Sequence, residues 1–342
     1  MRLVVVGATG AVGSEILAIL NESDWPIDEL VPVATPRSVG RRLPFRGAEV
    51  EVVALTEEVF AGADIALFDV PDEVSDEWAP VAVTNGAVVV DNSAAWRMHP
   101  EVPLVVPEAN SDAVNDRPRG IVASPNCTML ALVVPVAALH RAAGLRRLIL
   151  SSYQAASGAG KGGTDELFDQ LQQAVKDPEK VSAGLGRDVL EAGDVFPHPL
   201  ALNVIPQIGS VRDNGYTGEE LKVGDETRKV LRLPDLPVTA TCVRVPTVIG
   251  HGVSVHAEFD RQVGVDEARD VLLGAPGVEV MDDTANAVYP TPLHAAGRDP
   301  SYVGRIRADL SNPNAINFFC VADNLRKGAA LNTVQIAQLL AP

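Results

Sequence analysis

The sequence lacks long apolar runs, and no segment of it resembles a membrane anchor. A membrane-spanning helix needs roughly 20 consecutive apolar residues. The longest candidate here, in residues 129–139, is interrupted by Pro135. The amino terminus enters an apolar strand-like run at Leu3–Val6 without a preceding basic segment, so we expect no signal peptide. These absences predict a cytoplasmic protein that has no membrane partner.

Basic side chains and cysteines are also scarce. The chain has 28 Lys and Arg against 45 Asp and Glu, a formal net charge of −17, whereas a nucleic-acid surface needs clustered basic residues. The three cysteines, Cys127, Cys242 and Cys320, have the spacing of neither a metal motif nor a disulfide framework. We therefore expect no nucleic-acid partner, no metal and a reducing compartment.

The composition that remains is globular, with 46% hydrophobic and 21% charged residues over 342 positions, a length that suits two domains. In the first half, short apolar runs alternate with helical patterns, which is typical of a parallel sheet buried on both faces. The runs cover residues 3–6, 30–34, 65–70, 87–91, 104–106 and 120–123. They predict an α/β fold with a Rossmann-type, doubly wound parallel sheet.

The second half has a different hydrophobic pattern, with segments in which polar and apolar residues alternate, as is typical of a sheet with one buried face. The predicted elements are an apolar helix, a strand, a polar helix and three strand-like segments, at residues 128–143, 148–154, 165–175, 240–249, 253–260 and 316–322. We expect an α+β domain over 129–322, with residues 1–128 and a last helix at about 323–342 in the first domain.

The segment Gly7–Gly13 follows the first apolar run and opens a helical pattern. Glycines at its first, fourth and seventh positions can form a tight turn, admit a pyrophosphate and let the helix pack closely on the strand. The helix N-terminus then offers free N–H groups to the phosphates. This segment predicts a dinucleotide site, and the alternative is a plain strand-to-helix turn.

The end of the second apolar run favours NADP over NAD. NAD-binding proteins usually carry an acidic residue there that holds the ribose hydroxyls. This chain has Thr35, Arg37 and Ser38 instead. A guanidinium and two hydroxyls suit a 2′-phosphate, because arginine binds phosphate through paired donors. The alternative is a solvated arginine in a turn.

Cys127 is the candidate nucleophile, because it lies after an apolar run and at the predicted start of a long helix. The positive end of a helix dipole favours a thiolate, and the thiolate is the form that attacks a carbonyl. A buried thiol at a helix start is the alternative. Cys242 and Cys320 lie within strand-like runs and are predicted to be small buried residues.

His251 is one of six histidines and the strongest candidate for an acid–base partner. Glycines on both sides of it allow close approach to a substrate, Arg244 leads the same segment, and an imidazole ordinarily titrates near neutral pH. Spacing alone does not show that His251 meets Cys127. The small-residue loop at 154–163 suits either a cofactor contact or a mobile surface.

Taken together, several stretches resemble the aspartate-semialdehyde dehydrogenase family along nearly the whole chain. They are Gly7–Gly13, Asp91–Arg97, Val106–Asn110, Ser124–Thr128, Gln154–Gly160, Glu219–Lys222, Arg244–Gly252 and Asp323–Ala330. The resemblance implies NADPH-dependent reduction of aspartyl phosphate to aspartate semialdehyde and phosphate, through a thioester, toward lysine (by diaminopimelate), threonine and methionine. It also implies a second domain that serves catalysis and dimerisation, and a homodimer, with a tetramer as the alternative.

The resemblance assigns roles to residues by position. Cys127 matches the nucleophile, His251 the acid–base residue and Gln154 the residue that orients the substrate. Arg244 and Glu219 match the residues that bind the substrate carboxylate and amino group. The phosphate-binding positions are matched by Arg97, Asn126 and Lys222. The cofactor positions are matched by Gly7, Thr9, Gly10, Ala11, Val12, Gly13, Thr35, Arg37 and Ser38, and those near the nicotinamide by Ser157, Gly158 and Asn324.

Other functions compete with this interpretation. An N-acetyl-glutamyl-phosphate reductase shares the architecture and the thioester chemistry, but its substrate has no ammonium group for Glu219. A phosphorylating glyceraldehyde-3-phosphate dehydrogenase would need the acid expected for NAD. A non-catalytic NADP sensor would not need Cys127, Gln154 and His251 together. Without the resemblance, a surface ion pair on a helix is the preferred explanation of Glu219 and Lys222.

Overall fold

The computed structural model describes residues 1–341, which form two compact units. The first unit contains Met1–Ala137, Asp225–Asp235 and the chain from Leu325 onward, and the second contains Ala138–Gly224 and Leu236–Asn324. The strands are β1 (Arg2–Val6), β2 (Glu29–Ala34), β3 (Arg42–Phe45), β4 (Ala48–Glu51), β5 (Val53–Ala54), β6 (Ile65–Phe68), β7 (Val88–Asp91), β8 (Ile121–Ala123), β9 (Leu145–Gln154), β10 (Val238–Arg244), β11 (His251–Phe259), β12 (Val278–Val280), β13 (Ser301–Ala308) and β14 (Ala315–Ala322).

The α-helices are α1 (Ala11–Glu22), α2 (Asp72–Thr84), α3 (Pro107–Asn110), α4 (Cys127–Ala143), α5 (Gly160–Lys176), α6 (Pro178–Ser182), α7 (Gly218–Leu231), α8 (Val265–Leu273), α9 (Pro292–Ala295) and α10 (Leu331–Leu340). Short 3-10 helices and a π-helical turn at Arg326–Ala330 complete the described chain. Within residues 1–341 we find no helix with the length and apolar character that crossing a membrane requires.

The first unit is built on a six-stranded sheet in the order β5-β2-β1-β6-β7-β8, and every neighbouring pair is parallel. Leu3–Val6 of β1 and all of β6 are buried, as continuous apolar runs predict for a sheet covered on both faces. The Rossmann-type prediction is therefore confirmed. The strand order reverses at β1, between β2 and β6, and ligands of such sheets bind where the order reverses.

Two helices cover this sheet with apolar faces at helical spacing. Helix α1 buries Ile16, Leu17 and Leu20, and α10 buries Val334 and Ile336, all within the core that includes β1. Burying such a side chain contributes roughly 1.5–3 kcal/mol to stability. The glycine segment connects β1 to α1, and both of these elements are anchored in this core.

The second unit contains a six-stranded mixed sheet in the order β10-β9-β11-β14-β13-β12. Alternate residues of β11 are buried, which agrees with the predicted α+β domain. Strands β9 and β10 are parallel and place Gln154 opposite Arg244, while β11 is antiparallel to β9 and begins at His251. Three of the predicted site residues therefore lie at one end of this sheet.

Two predicted strands are wrong in extent. Residues 104–106 form only an isolated bridge from Leu104 to Ala123, because the Val106 N–H donates to the Asn110 side chain and Pro107 begins α3. The strand predicted over 240–249 ends at Arg244, since Pro246 has no N–H with which to continue a ladder. Strands β3, β4, β5, β12 and β13 were not predicted.

We expect Gly13→Ala to destabilise the protein by about 1–3 kcal/mol in urea unfolding, because an added Cβ would collide with the carbonyl oxygen of Gly7. This backbone collision outweighs the gain of about 1 kcal/mol from replacing glycine by alanine in a helix. The control is Gly186→Ala, where a Cβ meets no atom within 4 Å, and its effect should stay within about 0.5 kcal/mol. Equal stability of the two variants would contradict the close packing at Gly13.

Candidate active site

The glycine segment has the geometry that a dinucleotide requires. Gly7 has φ of +92°, a left-handed conformation suited to glycine, and its N–H donates to the Val33 carbonyl at 2.9 Å. Gly10 is the N-cap of α1 and provides no side-chain cap, and the first turn carries no acidic residue. A Cβ at Gly7 or Gly13 would collide with neighbouring backbone. The residues present therefore fit a pyrophosphate at the start of α1.

Asp69, which follows β6, faces this turn and was not predicted. Its carboxyl accepts a hydrogen bond from Asn92 Nδ2 at 3.0 Å. Burial raises the pKa of Asp69 above its ordinary value, and the hydrogen bond from Asn92 opposes that shift. An acid thus lies beside the glycine turn, at the end of a neighbouring strand.

The segment after β2 lies next to the glycine segment. The Thr9 hydroxyl donates to the Ser38 hydroxyl at 3.2 Å, which brings two predicted cofactor positions together. Thr35 precedes a short 3-10 helix at Pro36–Ser38, and both Thr35 and Arg37 are exposed. An exposed guanidinium beside these hydroxyls is available to an anion.

Cys127 is the first residue of α4, as predicted, and Asn126 caps that helix. Asn126 Oδ1 accepts hydrogen bonds from the N–H groups of Thr128 at 2.8 Å and Met129 at 3.3 Å. This cap satisfies donors at the helix start and fixes the backbone on either side of the thiol. Cys127 is partly exposed, whereas Cys242 and Cys320 are buried as predicted, and burial raises the pKa of the Cys320 thiol.

Arg97 lies close to Asn126 in the first unit. Its guanidinium donates from Nε to the Ser124 carbonyl at 2.9 Å and from Nη2 to the Asn92 carbonyl at 2.7 Å. The stretch that carries it is anchored by Asp91, whose buried carboxyl accepts from the Ser75 and Ser93 hydroxyls. Arg97 is thus hydrogen-bonded to Ser124, in the segment that leads to Asn126, another of the predicted phosphate-binding residues.

In the second unit, the structure brings Gln154 and Glu219 together. Gln154 Nε2 donates to Glu219 Oε1 at 3.1 Å, and the Ser152 hydroxyl donates to Gln154 Oε1 at 3.0 Å. Glu219 lies in the first turn of α7, where Thr217 and Glu220 form a capping box at 2.7 and 3.3 Å. Lys222 lies on the same helix and is exposed.

His251 and Arg244 meet the loop after β9. His251 Nδ1 accepts the Ala155 N–H at 3.1 Å, and Arg244 Nη1 donates to the Ala155 carbonyl at 2.7 Å. Gly158 packs against both side chains, so that a Cβ there would lie 3.1 Å from His251 Nε2 and 2.7 Å from Arg244 Nη1. The small residues of the loop are therefore required by close approach.

Burial, with a smaller contribution from the Arg244 charge, lowers the pKa of His251 to about 3. The expectation that this imidazole titrates near neutral pH is therefore wrong, because the ring is fully removed from water. In the neutral ring Nδ1 is an acceptor, so the proton lies on Nε2. His251 is thus a neutral ring whose Nδ1 is fixed by the backbone of Ala155.

Asn324 connects the loop after β9 to the segment that precedes β11. Its Nδ2 donates to the Ser157 hydroxyl at 2.9 Å, and its Oδ1 accepts the Gly250 N–H at 2.8 Å. Two predicted nicotinamide positions, Ser157 and Asn324, are therefore hydrogen-bonded next to His251. No group of three His, Cys, Asp or Glu side chains suited to a metal ion occurs among the residues that the structure describes.

Comparison with known proteins agrees with this geometry. The family model "Semialdehyde dehydrogenase, NAD binding domain" matches residues 2–117, and "Semialdehyde dehydrogenase, dimerisation domain" matches residues 136–327. An aspartate-semialdehyde dehydrogenase from Streptomyces akiyoshiensis is 48% identical over 100% of this chain and 98% of its own length. One from Aquifex aeolicus is 45% identical over 99% and 97%. The chain belongs to the aspartate-semialdehyde dehydrogenase family.

A solved structure supports the same family. The aspartate semialdehyde dehydrogenase II of Vibrio cholerae, complexed with ASA, has a TM-score of 0.93 and 39% identity, covering 99% of this chain and 97% of its own. The NAD-binding match includes the glycine segment and residues 35–38, so the chain has an NAD(P)-binding domain. The dimerisation match includes Gln154, Arg244 and His251, whereas Cys127 lies between the two matches.

We expect the buried imidazole to make stability depend on pH. The pKa of His251 is about 3 in the folded chain, against an ordinary value of 6.5, so the unfolded chain binds an extra proton between these values. Stability is therefore lost as pH falls through this window, by about 1 kcal/mol between pH 6.5 and 5.5. Urea unfolding at the two pH values should show this loss in the wild type and a smaller one in His251→Gln. Equal losses would contradict a buried neutral imidazole.

Proposed function

We propose that this protein is an NADP-dependent aspartate-semialdehyde dehydrogenase. It converts L-4-aspartyl phosphate reversibly to L-aspartate 4-semialdehyde and phosphate, in the pathway toward lysine, threonine and methionine. The observation that carries the proposal is Cys127 at the capped start of α4, in a chain that matches the family over its full length.

The proposed reaction begins at the thiolate of Cys127, which attacks the acyl phosphate carbonyl. A carbon–sulfur bond forms, the carbon–oxygen bond to phosphate breaks, and a thioester remains on the protein. Arg97, Asn126 and Lys222 bind the departing phosphate. NADPH, when bound, supplies the hydride for the acyl carbon. The carbon–sulfur bond then breaks, which releases the aldehyde and regenerates the Cys127 thiolate. His251 stabilises the charge that develops on the acyl oxygen as a neutral imidazole, without giving up its proton, while Gln154 orients the substrate.

The polar groups of the substrate account for two further residues. Arg244 binds the substrate carboxylate through a planar fork, which lysine would do less well. Glu219 pairs with the ammonium group, and its hydrogen bond from Gln154 supports that placement. An N-acetyl-glutamyl phosphate has no ammonium group, and the relatives that match over the full length carry the name aspartate-semialdehyde dehydrogenase. We therefore do not favour the reductase alternative.

NADP is the proposed cofactor, held by the glycine segment and by the residues after β2. Thr35, Arg37 and Ser38 supply two hydroxyls and an exposed guanidinium, with no acid among them, which suits a 2′-phosphate. Ser157, Gly158 and Asn324 contact the nicotinamide side. The exposed guanidinium, the two hydroxyls and the absence of the acid typical of NAD binding support NADP.

A homodimer is proposed as the assembly. Strand β9 exposes Ile149 and Tyr153 on one face of the second sheet, and Tyr153 lies against the Phe319 ring with centroids 5.9 Å apart. Partly exposed apolar side chains on a sheet face are typical of a protein interface. This face belongs to the segment that matches the family's dimerisation domain.

The direct test is NADPH formation from aspartate semialdehyde, NADP and inorganic phosphate, followed by absorbance. We expect phosphate-dependent turnover, reduced at least about 10³-fold in Cys127→Ser because the hydroxyl is a poorer nucleophile. Cys242→Ala removes a buried thiol and should remain active. Turnover that does not depend on phosphate would refute the function, and an active Cys127→Ser would refute the covalent mechanism.

The cofactor assignment predicts that Arg37→Ala weakens NADP binding about tenfold or more while changing NAD binding little, because only NADP carries the 2′-phosphate. The control is Arg41→Ala, which removes another exposed arginine of the same segment. Dissociation constants for both cofactors, measured by fluorescence titration, decide the point. Equal weakening of the two cofactors by Arg37→Ala would show that Arg37 does not bind the 2′-phosphate.

A further inference from the structure

Glu226 is a buried acid in the second half of α7, and none of the roles described above includes it. We propose that Glu226 is a positioning residue that holds the Arg97 guanidinium and the Asn126 backbone in place for the phosphate of the substrate. The inference rests on the proposed function, because it takes Arg97 and Asn126 as phosphate ligands.

The geometry of Glu226 joins two segments that are distant in sequence. Its side chain is 1% exposed. Glu226 Oε1 accepts from Arg97 Nη1 at 3.2 Å, and Oε2 accepts the Asn126 N–H at 2.6 Å. One carboxylate thus fixes the guanidinium with one oxygen and, with the other, the peptide next to the nucleophile.

The contacts of Arg97 leave it able to bind an anion. Its three described hydrogen bonds, to the carbonyls of Asn92 and Ser124 and to Glu226, use one N–H on each guanidinium nitrogen. A guanidinium has five N–H groups, so one remains on each Nη nitrogen. Two donors on one planar group suit a phosphate, provided that the plane is held still.

Lys229 supports the same loop from the next turn of α7. Its Nζ donates to the backbone carbonyls of Arg97, His99 and Val102, at 2.7, 2.8 and 2.8 Å. Burial lowers the pKa of Lys229, and the nearby Glu226 charge opposes that shift. Glu226 and Lys229 are three residues apart and therefore lie on one face of the helix. One holds the side chain of Arg97 and the other its backbone.

A carboxylate this close to Arg97 also opposes anion binding through its charge. If Glu226 acted only as a counter-charge, its removal would strengthen phosphate binding. If it acts by positioning, its removal weakens phosphate binding, because the amide of a glutamine can accept only one of the two hydrogen bonds. The sign of the change in phosphate KM therefore separates the two roles.

The test is Glu226→Gln, assayed in the direction that consumes inorganic phosphate. We expect the KM for phosphate to rise about tenfold or more, since losing a hydrogen bond to a charged group has an effect of this size. The KM for aspartate semialdehyde and the Kd for NADP should change less than about twofold, as those ligands contact other residues. Asp225→Asn, which alters an exposed neighbouring acid on the same helix, is the control and should leave all three constants unchanged.

Phosphate binding gives a readout that does not require turnover. Inorganic phosphate should protect Cys127 from alkylation by iodoacetamide in the wild type, and Glu226→Gln should need about tenfold more phosphate for the same protection. An unchanged or lower phosphate requirement would overturn the positioning role. If Glu226→Gln does not fold, Lys229→Met decides the point, with Arg228→Met as its control. A rise in phosphate KM that is confined to Lys229→Met supports positioning, and no rise overturns it.

Failure of the proposed function would look different. In that case the wild type would show no phosphate-dependent formation of NADPH. Failure of the positioning role would leave the wild type active and the phosphate KM of the variants unchanged or lowered.

Discussion

The first unit depends on one constraint, the parallel pairing of β1 with β2 on one side and with β6 on the other. Parallel neighbours cannot be joined by a tight turn, so each connection crosses over and the carboxyl ends of all strands lie along one edge. At that edge β1 leads into the glycine segment, β6 into Asp69, β7 into the stretch that ends at Arg97, and β8 into Cys127. The proposed nucleotide, phosphate and thiol positions of this unit therefore all follow from one hydrogen-bonding pattern.

Sequence patterns were sufficient to predict the central strands of the fold but not its short peripheral strands. Continuous apolar runs gave the buried strands β1, β6 and β7, because parallel strands covered on both faces need such runs. The hairpin of β3 and β4 turns through Arg46 and Gly47, both with positive φ, and Arg46 is not a residue that signals such a turn. Residues 104–106 show the opposite error, a predicted strand that does not form. These residues are apolar because they are buried, but the Val106 N–H donates to the Asn110 side chain instead of to a neighbouring strand.

The residues of the candidate site likewise fall into those that the sequence could identify and those that it could not. Residues with distinctive chemistry, such as Cys127, His251 and Arg244, could be selected from their local context and from the family resemblance. Glu226 and Asp69 could not, because an acid carries no local sign that it will be buried against partners 100 or more residues away or against a glycine turn. The same holds for the shifted pKa of His251, which depends on complete burial and on a neighbouring arginine, neither of which the sequence displays.

The three thiols differ in a way that extends beyond catalysis. Cys127 is partly accessible, whereas Cys242 and Cys320 are fully buried, and burial keeps the Cys320 thiol protonated by raising its pKa. Reagents for thiols act on the accessible thiolate, so a native chain presents one reactive sulfur. One mole of probe per mole of chain therefore marks a fully folded preparation. Any excess over one measures the unfolded molecules, because heating or denaturant exposes the other two sulfurs as the cores open.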